Sequence, residues 1–457
     1  MNRKKISFLL NSEKALEDVL IKGWVRTRRD SKKFSFIEIN DGSCLKNIQV
    51  IADQSIPDYD QIKKLTIGSA VEIKGKLIQS PGKGQNWELH AQFLNIISIS
   101  PDDFPLQKKR HTDEYLRTIA HLRPRTNKYG AIFRIRSKLA YAIHKYFNDK
   151  GFHYIHTPII TSSDCEGAGD LFRISTLDVS QLQNNDDYSN DFFGKKAYLT
   201  VSGQLEAELL ALSLGDVYTF GPTFRAENSN TRRHAAEFWM IEPEMAFCDL
   251  EENMNTAEDF IKYLIKYILE NASQDIDLFN KFVDKNLITT LNSITNNSFE
   301  KIVYKDAVKI LNESNEKFDY EVSFGNDLQS EHECFLTEKY FKKPVIVYNY
   351  PKNIKPFYMR INDDNETVCA MDILVSRIGE IIGGSQREER LDVLLKRMDE
   401  IGLDKNDYWW YIDSRKYGTV PHSGFGLGFE RLLMLVTGVS NIRDVILFPR
   451  TPKNIDF

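Results

Sequence analysis

The sequence predicts an α+β protein in which runs of strands are interrupted by helices. Three observations lead to this fold class. Short strands fill residues 18–100, a strongly helical segment covers residues 131–150, and strand-like runs return at 197–247 and near 345–350. Antiparallel-looking strands interrupted by helices are typical of α+β folds, whereas regular alternation of the two would indicate a doubly wound parallel sheet.

The chain length and composition indicate a soluble protein of more than one domain. The 457 residues carry a net charge of −5, with 42% hydrophobic and 27% charged residues, which is ordinary for globular proteins. A chain of this charge binds RNA only through a local basic patch. Such a patch lies near the start of the chain and comprises Arg26, Arg28, Arg29, Lys32 and Lys33.

Cysteine usage and hydropathy indicate a reduced intracellular environment. The five cysteines are scattered, without a C-x-x-C pair, so neither a disulfide framework nor a zinc site is expected, and buried thiols are the simplest interpretation. The sequence contains no run of about 18 apolar residues that would predict a membrane span. We therefore expect a cytoplasmic protein without a membrane partner.

Five strands are predicted before residue 100, and a small closed barrel is expected from them. Their segments alternate apolar and polar residues and are separated by turn signals such as Asn40-Asp41-Gly42; they are Val19–Arg26, Phe34–Ile39, Ile48–Ala52, Ala70–Leu77 and Trp87–Ile99. A five-stranded oligonucleotide-binding barrel (OB-fold) is one standard solution for such a pattern.

The remaining chain divides into a hinge and a larger domain. We predict an OB-fold domain over residues 1–103, a hinge rich in proline and charge over 104–130, and a second domain over 131–457. Helical periodicity over 131–150 ends at Gly151. Residues 250–340 are Asn- and Lys-rich, carry no recognisable chemistry, and are interpreted as an insertion.

Residues 224–244 combine the residue types that a nucleoside triphosphate needs. Guanidinium groups bind phosphates, carboxylates bind a metal or amino groups, and an aromatic ring stacks on a base. The segment supplies all three, with Arg225, Arg232, Arg233 and His234 as cationic or proton-donating groups, Glu227, Glu237, Glu242 and Glu244 as carboxylates, and Phe238 and Trp239 as rings.

Two glycine-containing segments add weaker signals. Gly424–Gly428 reads as a loop opening into a helix that begins at Phe429 and carries Arg431, which suits phosphate binding but equally suits tight packing at a turn. Residues 379–390 place Glu380 before two glycines and Arg387. Glu380, together with Asp372, could hold Mg²⁺, although each of these residues taken alone could be a surface ion-pair partner.

Taken in order, these segments resemble the class II aminoacyl-tRNA synthetases of the aspartate/asparagine/lysine subgroup, most closely its bacterial-type asparaginyl branch. The resemblance covers nearly the whole chain. The 131–158 segment, ending at Pro158, matches the first class motif, which forms a homodimer interface in the family. Phe224–Glu244 matches the second motif and Gly424–Leu433 the third. The expected second domain is thus an antiparallel sheet flanked by helices.

The resemblance implies a role for each of these residues in amino-acid adenylation by ATP. Arg225 would bind the α-phosphate and the amino-acid carboxylate, with Arg431 and Glu380 completing the catalytic set. ATP would be bound by Arg225, Glu227, His234, Phe238 and Arg431, with Phe238 stacking on adenine, and Mg²⁺ by Glu380 and Asp372.

The amino acid would be bound by Glu166, Gln204, Glu208 and Arg387. The segment Cys165–Gly167 resembles a loop that closes on the amino acid, with Glu166 pairing with its ammonium group, although a loop carboxylate in solvent is the alternative. Aspartyl enzymes of the subgroup carry a lysine where this chain has Ala207. With Glu208 as acceptor and Arg387 as donor, the pocket fits a carboxamide, so L-asparagine is expected. Glu206 and Glu208 could instead be first-turn acids of a helix.

The barrel would bind the anticodon of tRNA(Asn), with no DNA partner. By resemblance, Phe36 stacks on an anticodon base while Arg29 and Gln49 contact edges or backbone; the alternative for Phe36 is a core strand residue. Three rivals remain: a non-discriminating aspartyl-tRNA synthetase, an asparagine synthetase built on the same catalytic domain, and a non-catalytic RNA-binding paralogue.

Overall fold

The protein consists of two compact units, Met1–Arg134 and Ile135–Phe457. The structure, a computed structural model, describes residues 2–82, 84–165, 171–178, 188–229 and 231–457. None of the described helices is long and apolar enough to cross a bilayer. All five cysteines are free; Cys165, Cys248 and Cys369 are buried as predicted, whereas Cys44 and Cys334 are partly accessible.

The first unit contains a closed five-stranded barrel with strand order β1-β2-β3-β5-β4. The five predicted strands are confirmed; they are β1 (Leu16–Asp30), β2 (Phe34–Asn40), β3 (Ile48–Asp53), β4 (Ala70–Gln79) and β5 (Trp87–Ser98). The helices of this unit are α1 (Ile6–Leu10), α2 (Tyr59–Ile62) and α3 (Asp113–Thr118), followed by a 3₁₀ turn at Arg123–Arg125.

Strand alternation determines which side chains fill the barrel. Along β2, Ser35, Ile37 and Ile39 are fully buried, whereas Phe34 and Phe36 point to the other face and are more accessible. Because successive side chains of a strand alternate between faces, the outward set is available for contacts with another molecule.

The second unit is built on an eight-stranded sheet with strand order β12-β13-β14-β15-β16-β11-β10-β6. Its central pairs are antiparallel, as predicted, while the edge strands β6 and β12 pair in parallel. The strands are β6 (His153–Tyr154), β10 (Asp216–Phe224), β11 (Glu237–Ala246), β12 (Glu300–Val303), β13 (Val345–Pro351), β14 (Thr367–Val375), β15 (Gly379–Gln386) and β16 (His422–Gly428). A smaller sheet pairs β7 (Ile160–Thr161), β9 (Ala197–Leu199) and β8 (Arg173–Ile174).

Helices pack on this sheet. They are α4 (Asn127–Asp149), α5 (Gln204–Leu214), α6 (Leu250–Asn271), α7 (Ser273–Phe282), α8 (Leu287–Asn296), α9 (Tyr304–Glu313), α10 (Ser330–Cys334), α11 (Leu391–Ile401), α12 (Trp409–Lys416) and α13 (Phe429–Thr437). A π-helical turn covers Phe335–Tyr340, and 3₁₀ turns cover Lys352–Ile354 and Ile442–Asp444.

The region interpreted as an insertion contributes to the sheet as well as to the helices. α6 begins with a capping box formed by Asp249 and Glu252 and buries Phe260 and Leu264. Strand β12 then joins the sheet edge beside β13. The predicted boundaries of the domains, the hinge and the insertion stay predictions.

The glycine-rich segment Gly424–Gly428 is a strand, β16, rather than the predicted loop. Its glycines make room for neighbouring side chains. A Cβ atom on Gly424 would lie 2.2 Å from Glu244 Oε1, and one on Gly426 would lie 2.7 Å from Met240 Cε. Arg387 directly follows β15, and α11 begins four residues later at Leu391.

Candidate active site

A cleft over the middle of the large sheet contains most of the predicted site residues. One cavity is lined by Arg225, Glu227, His234, Phe238 and Arg431. These are the five residues predicted to bind ATP, and the structure brings all of them together. We call this cavity the nucleotide half of the cleft.

Strand pairing explains how the nucleotide half is assembled from nearby residues. Arg225 follows β10 and Phe238 lies on β11, which pairs with β10 so that Thr223 is opposite Phe238. The Arg225 guanidinium carbon lies 5.6 Å from the centre of the Phe238 ring, and Arg225 Nη1 lies 3.8 Å from Glu227 Oε1. A cationic fork thus lies beside a flat apolar face, as phosphate and base binding require.

Arg431 projects from the first turn of α13 toward Glu380 on β15. Its Nη1 donates to the backbone oxygen of Glu380 at 2.9 Å and lies 3.5 Å from Glu380 Oε2. Burial, the largest single effect, raises the pKa of the Glu380 carboxyl, but the neighbouring cations Arg431, Lys355 and Arg225 together outweigh it, and the net pKa is lowered. Glu380 is therefore held as a carboxylate.

The carboxylates of Asp372 and Glu380 both point toward Gly383 on β15. A Cβ atom built on Gly383 would lie 3.0 Å from Glu380 Oε1 and 3.4 Å from Asp372 Oδ1, and Lys355 Nζ lies 2.7 Å from Asp372 Oδ2. Burial and the neighbouring Glu380 raise the pKa of Asp372 to about 6. The same two causes raise the pKa of Glu333 to about 8. Such concentrated negative charge would be relieved by a bound cation.

These residues fit Mg²⁺ bound together with a phosphate ligand. Across the described parts of the chain, no three His, Cys, Asp or Glu side chains converge to hold a metal ion by themselves. Mg²⁺ in nucleotide sites commonly binds one or two carboxylates and completes its coordination shell with phosphate oxygens and water. Asp372 and Glu380 would supply the two carboxylates.

A second cavity continues from the first, and we call it the amino-acid half of the cleft. The two share Arg225, Met240, Glu380 and Gly426 in their linings. Beyond these, the amino-acid half is lined by polar groups that include Gln204, Glu242, Glu244, Lys355, Tyr358 and Arg387. Arg225 and Glu380 thus lie where the two halves meet.

Arg387 is held in a buried ion pair at the floor of the amino-acid half. Its Nε donates to Glu244 Oε2 at 3.1 Å, its Nη2 donates to Glu244 Oε1, and its Nη1 donates to Ser385 Oγ at 2.8 Å. Both side chains are almost fully buried. A guanidinium has five N–H donors, so this arrangement leaves donor capacity for a ligand in the cavity.

Glu242 presents a second buried carboxylate to the same cavity. It accepts hydrogen bonds from the Ser202 hydroxyl, from the Gly203 amide at 3.2 Å and from the Thr219 hydroxyl at 3.2 Å. Burial raises the pKa of the Glu242 carboxyl, and these hydrogen bonds oppose that shift. The amino-acid half therefore combines a fixed guanidinium with carboxylate acceptors.

Glu208 is fully buried and does not line either cavity. Its carboxylate accepts from Tyr411 Oη at 2.7 Å, Arg415 Nη2 at 2.5 Å and Gln204 Nε2 at 2.9 Å. The sequence predicts that Glu208 accepts directly from the substrate, and this role stays a prediction. In the structure Glu208 contacts Gln204, which lines the cavity, and Glu242 and Glu244 are buried carboxylates in that lining. Glu166 lies outside the described residues.

The predicted anticodon contacts share the outer face of the barrel. Arg29 pairs with Phe36 across β1 and β2, and Gln49 pairs with Glu38 across β2 and β3. Phe36 is partly accessible, so it is not the core residue that the alternative reading required.

Two residues that line the amino-acid half, Lys355 and Tyr358, were not predicted from the sequence because they lie in segments without a motif. Tyr411 and Arg415, which do not line the cavity but contact Glu208 from α12, were not predicted either. Glu242 and Glu244 were recognised only as carboxylates of the 224–244 segment. Their alternation along β11 was the available signal, because residues two apart on a strand share a face.

Comparison with protein families gives two matches that together span most of the chain. Residues 112–452 match the family described as tRNA synthetases class II (D, K and N). Residues 19–97 match the OB-fold nucleic acid binding domain.

Curated relatives match over nearly their full length. A protein of Nitratidesulfovibrio vulgaris strain Hildenborough, named asparagine–tRNA ligase, is 62% identical over 439 residues, covering 95% of each chain. A protein of Oleidesulfovibrio alaskensis with the same name is 59% identical over 461 residues, covering 100% of each.

Solved structures agree with this relationship. The asparaginyl-tRNA synthetase of Pyrococcus horikoshii complexed with asparaginyl-adenylate superimposes with a TM-score of 0.87 at 34% identity, covering 100% of this chain and 99% of that one. The Entamoeba histolytica asparaginyl-tRNA synthetase in complex with asparaginyl-adenylate gives 0.83 at 28% identity, covering 96% of each.

Proposed function

The chain belongs to the class II tRNA synthetases of the aspartate, lysine and asparagine group, and from that premise we propose that it is an asparagine–tRNA ligase. It activates L-asparagine with ATP to asparaginyl-adenylate and transfers the asparaginyl group to tRNA(Asn). Relatives of this name at 57–62% identity support the assignment, as do neighbouring structures whose ligand is asparaginyl-adenylate.

The observation that carries the choice of amino acid is the pairing of donor and acceptors in the amino-acid half. A carboxamide has one accepting oxygen and one donating NH₂ group. Arg387 supplies the donor, while Glu242 and Glu244 supply carboxylate acceptors. An aspartate side chain would bring a further negative charge beside buried carboxylates, which costs several kcal/mol where like charges are juxtaposed.

The chemistry requires positioning and charge stabilisation but no protein nucleophile. An oxygen of the asparagine carboxylate attacks the α-phosphorus of ATP, a P–O bond forms, and the bond to the β-phosphate oxygen breaks to release pyrophosphate. Arg225 lies where the two halves meet and would bind the pentavalent centre, and Arg431 would bind the departing phosphates. Donors aimed at charge that develops in the transition state supply the main acceleration.

Phe238 would stack on the adenine ring, with Glu227 at the adenine end and His234 toward the γ-phosphate. The Arg431–Glu380 contact would open on nucleotide binding, because phosphates compete for the guanidinium. Mg²⁺ held by Glu380 and Asp372 would neutralise phosphate charge. Support comes from the shared orientation of these two carboxylates toward Gly383.

We further propose that the protein is a homodimer that acts in the cytoplasm, where tRNA is charged. The first class motif contains large apolar side chains at the surface, since Tyr141 is 61% exposed and Tyr154 57%, and Ile160, two residues beyond the motif, is 45% exposed. Exposed aromatic residues are enriched at protein interfaces. Sedimentation equilibrium would detect the dimer.

The barrel supports tRNA binding and argues against an asparagine synthetase built from the catalytic domain alone. Because Arg225, Glu380 and Arg431 are all present and grouped, the non-catalytic paralogue is disfavoured as well. The test is aminoacylation of two transcripts, tRNA(Asn) and the same transcript with an altered anticodon. We expect charging of the first with asparagine and strongly reduced charging of the second. Failure to charge tRNA(Asn) would contradict the proposal.

A further inference from the structure

A buried set of side chains lies behind the amino-acid half of the cleft, and apart from Glu208 neither the mechanism nor the family resemblance assigns its members a role. It consists of Glu208 on α5, Tyr411 and Arg415 on α12, and His422 on β16. All four are at most 3% exposed. None of them is among the residues that line the cavity.

Glu208 is the centre of this set. Its Oε2 accepts hydrogen bonds from Tyr411 Oη at 2.7 Å and from Arg415 Nη2 at 2.5 Å, and it lies 3.2 Å from His422 Nε2. Arg415 Nη2 also contacts Tyr411 Oη at 2.7 Å, and Arg415 Nε donates to the backbone oxygen of Glu388 at 2.9 Å. Three groups thus converge on one carboxylate oxygen.

The charge of Glu208 follows from these contacts. An arginine is not deprotonated in proteins, and a buried guanidinium within hydrogen-bonding distance keeps a carboxylate ionised. Burial, the largest single effect, raises the pKa of the Glu208 carboxyl, but Arg415, His422 and Arg387 together outweigh it, and the net pKa is lowered. An ionised carboxylate can only accept hydrogen bonds.

Because Glu208 can only accept, it determines the orientation of the side-chain amide of Gln204, which lies one helical turn before Glu208 and lines the cavity. The other oxygen of Glu208, Oε1, is 2.9 Å from Gln204 Nε2. Because Glu208 accepts only, the Gln204 amide must turn its NH₂ group toward it. The carbonyl oxygen of Gln204 is then the end left for the cavity, where it can accept from an ammonium group but not donate to a carboxylate.

We propose that Tyr411 and Arg415 are positioning residues that act through Glu208 to hold the Gln204 amide with its carbonyl oxygen toward the α-ammonium group of the amino-acid substrate. The inference rests on the proposed function. Its new content is the role of α12, and it changes Glu208 from a substrate contact to the group that fixes the orientation of Gln204.

The test compares asparagine with succinamate, which has the same carboxylate and carboxamide but lacks the α-ammonium group. The affinity for asparagine is measured by ATP–pyrophosphate exchange, and succinamate is measured as a competitive inhibitor of that exchange. The variant is Tyr411→Phe, which removes one hydroxyl from Glu208 and keeps the ring. The matched control is Tyr146→Phe, because Tyr146 is also buried and its hydroxyl donates to a carboxylate, that of Asp259 at 2.9 Å.

We expect Tyr411→Phe to weaken asparagine binding about tenfold, the scale of one hydrogen bond to a charged group, while succinamate binding changes less than about twofold. Arg415→Met should show the same selective loss with a larger factor, and Arg415→Lys should restore part of it because lysine also donates. Tyr146→Phe should change neither ligand.

Equal weakening of both ligands in Tyr411→Phe and Arg415→Met would overturn the inference, since it would indicate a general structural role. Unchanged asparagine binding in both variants would overturn it as well. In either case wild-type exchange with asparagine would still support the proposed function, whereas absence of that exchange in the wild-type protein would contradict the function itself.

Discussion

The nucleotide half and the amino-acid half of the cleft meet at Arg225 and Glu380 but are built in different ways. Four of the five predicted ATP-binding residues in the nucleotide half come from one hairpin, residues 225–238, and the fifth, Arg431, comes from α13. The side chains of Arg225 and Arg431 are partly accessible. The amino-acid half draws on α5, β11, β15 and segments near residue 355, and its charged groups Glu242, Glu244 and Arg387 are at most 5% exposed.

The two halves therefore suit different tasks: the nucleotide half binds ATP, and the amino-acid half selects the amino acid. Phosphates can be bound by partly accessible cations, and one segment of the chain can supply most of these. Discrimination between two similar side chains requires desolvated donors and acceptors held rigidly, because unpaired polar groups are costly only where water is excluded. Buried groups of this kind need partners from several elements, and Arg387 with Glu244 is the clearest example here.

The largest effect is expected from Arg387→Met, which leaves Glu244 as a buried carboxylate without its ion-pair partner. Removing one partner of a buried pair costs roughly 3–5 kcal/mol. We expect a corresponding loss of unfolding free energy in urea titrations, and loss of asparagine-dependent exchange.

The matched control is Arg360→Met, because Arg360 pairs with Glu389 at 3.2 Å but is partly exposed. The unfolding free energy of the Arg360→Met variant should fall by less than about 1 kcal/mol. An equal loss of unfolding free energy in Arg387→Met and Arg360→Met would contradict the claim that the buried ion pair contributes more to stability than the partly exposed one.

Arg225→Gln should affect both halves, since Arg225 lines both. Loss of a donor that stabilises transition-state charge lowers kcat by about 10²–10³-fold. Steady-state exchange should show this drop, with Arg225→Lys intermediate because lysine keeps the charge without the planar fork. A change confined to the KM for asparagine would contradict the placement of Arg225 at the junction.

Phe238→Ala should affect the nucleotide half alone. Loss of a stacking ring costs about 1–3 kcal/mol, so the KM for ATP should rise roughly tenfold or more while the KM for asparagine stays unchanged. Phe247→Ala, at a side chain that is 76% exposed, is the control. An equal rise in the KM values for ATP and for asparagine would contradict the assignment of Phe238 to the nucleotide half alone.

The smallest effect on the cleft is expected from Phe36→Ala in the barrel. Adenylation should be unchanged, because Phe36 belongs to the first unit and not to the cleft. Charging of tRNA(Asn) should weaken by about 1–3 kcal/mol in kcat/KM. Phe8→Ala, also in the first unit and 56% exposed, should charge normally; reduced exchange in Phe36→Ala would contradict the assignment.

The same contrast accounts for what could be predicted from the sequence. The barrel strands follow from period-two alternation, and the nucleotide half follows from residues close together between 224 and 244. Strand β16 was taken for a loop because its glycines are required by the side chains of Glu244 and Met240, which are remote in sequence.

The position of Glu208 could not be predicted either. Its partners Tyr411 and Arg415 lie about two hundred residues away on a helix without a motif. A carboxylate in the first turns of a helix gives no local sign of whether it points to a ligand or to a buried arginine. Only the tertiary fold distinguishes the two.

The central claim is that the amino-acid half selects a carboxamide over a carboxylate. The most direct test is ATP–pyrophosphate exchange by the wild-type protein with asparagine and aspartate measured side by side. We predict that kcat/KM for asparagine exceeds that for aspartate by on the order of 10⁴-fold, the scale of rejection when buried polar groups are mismatched. Exchange with aspartate equal to or greater than that with asparagine would contradict the account.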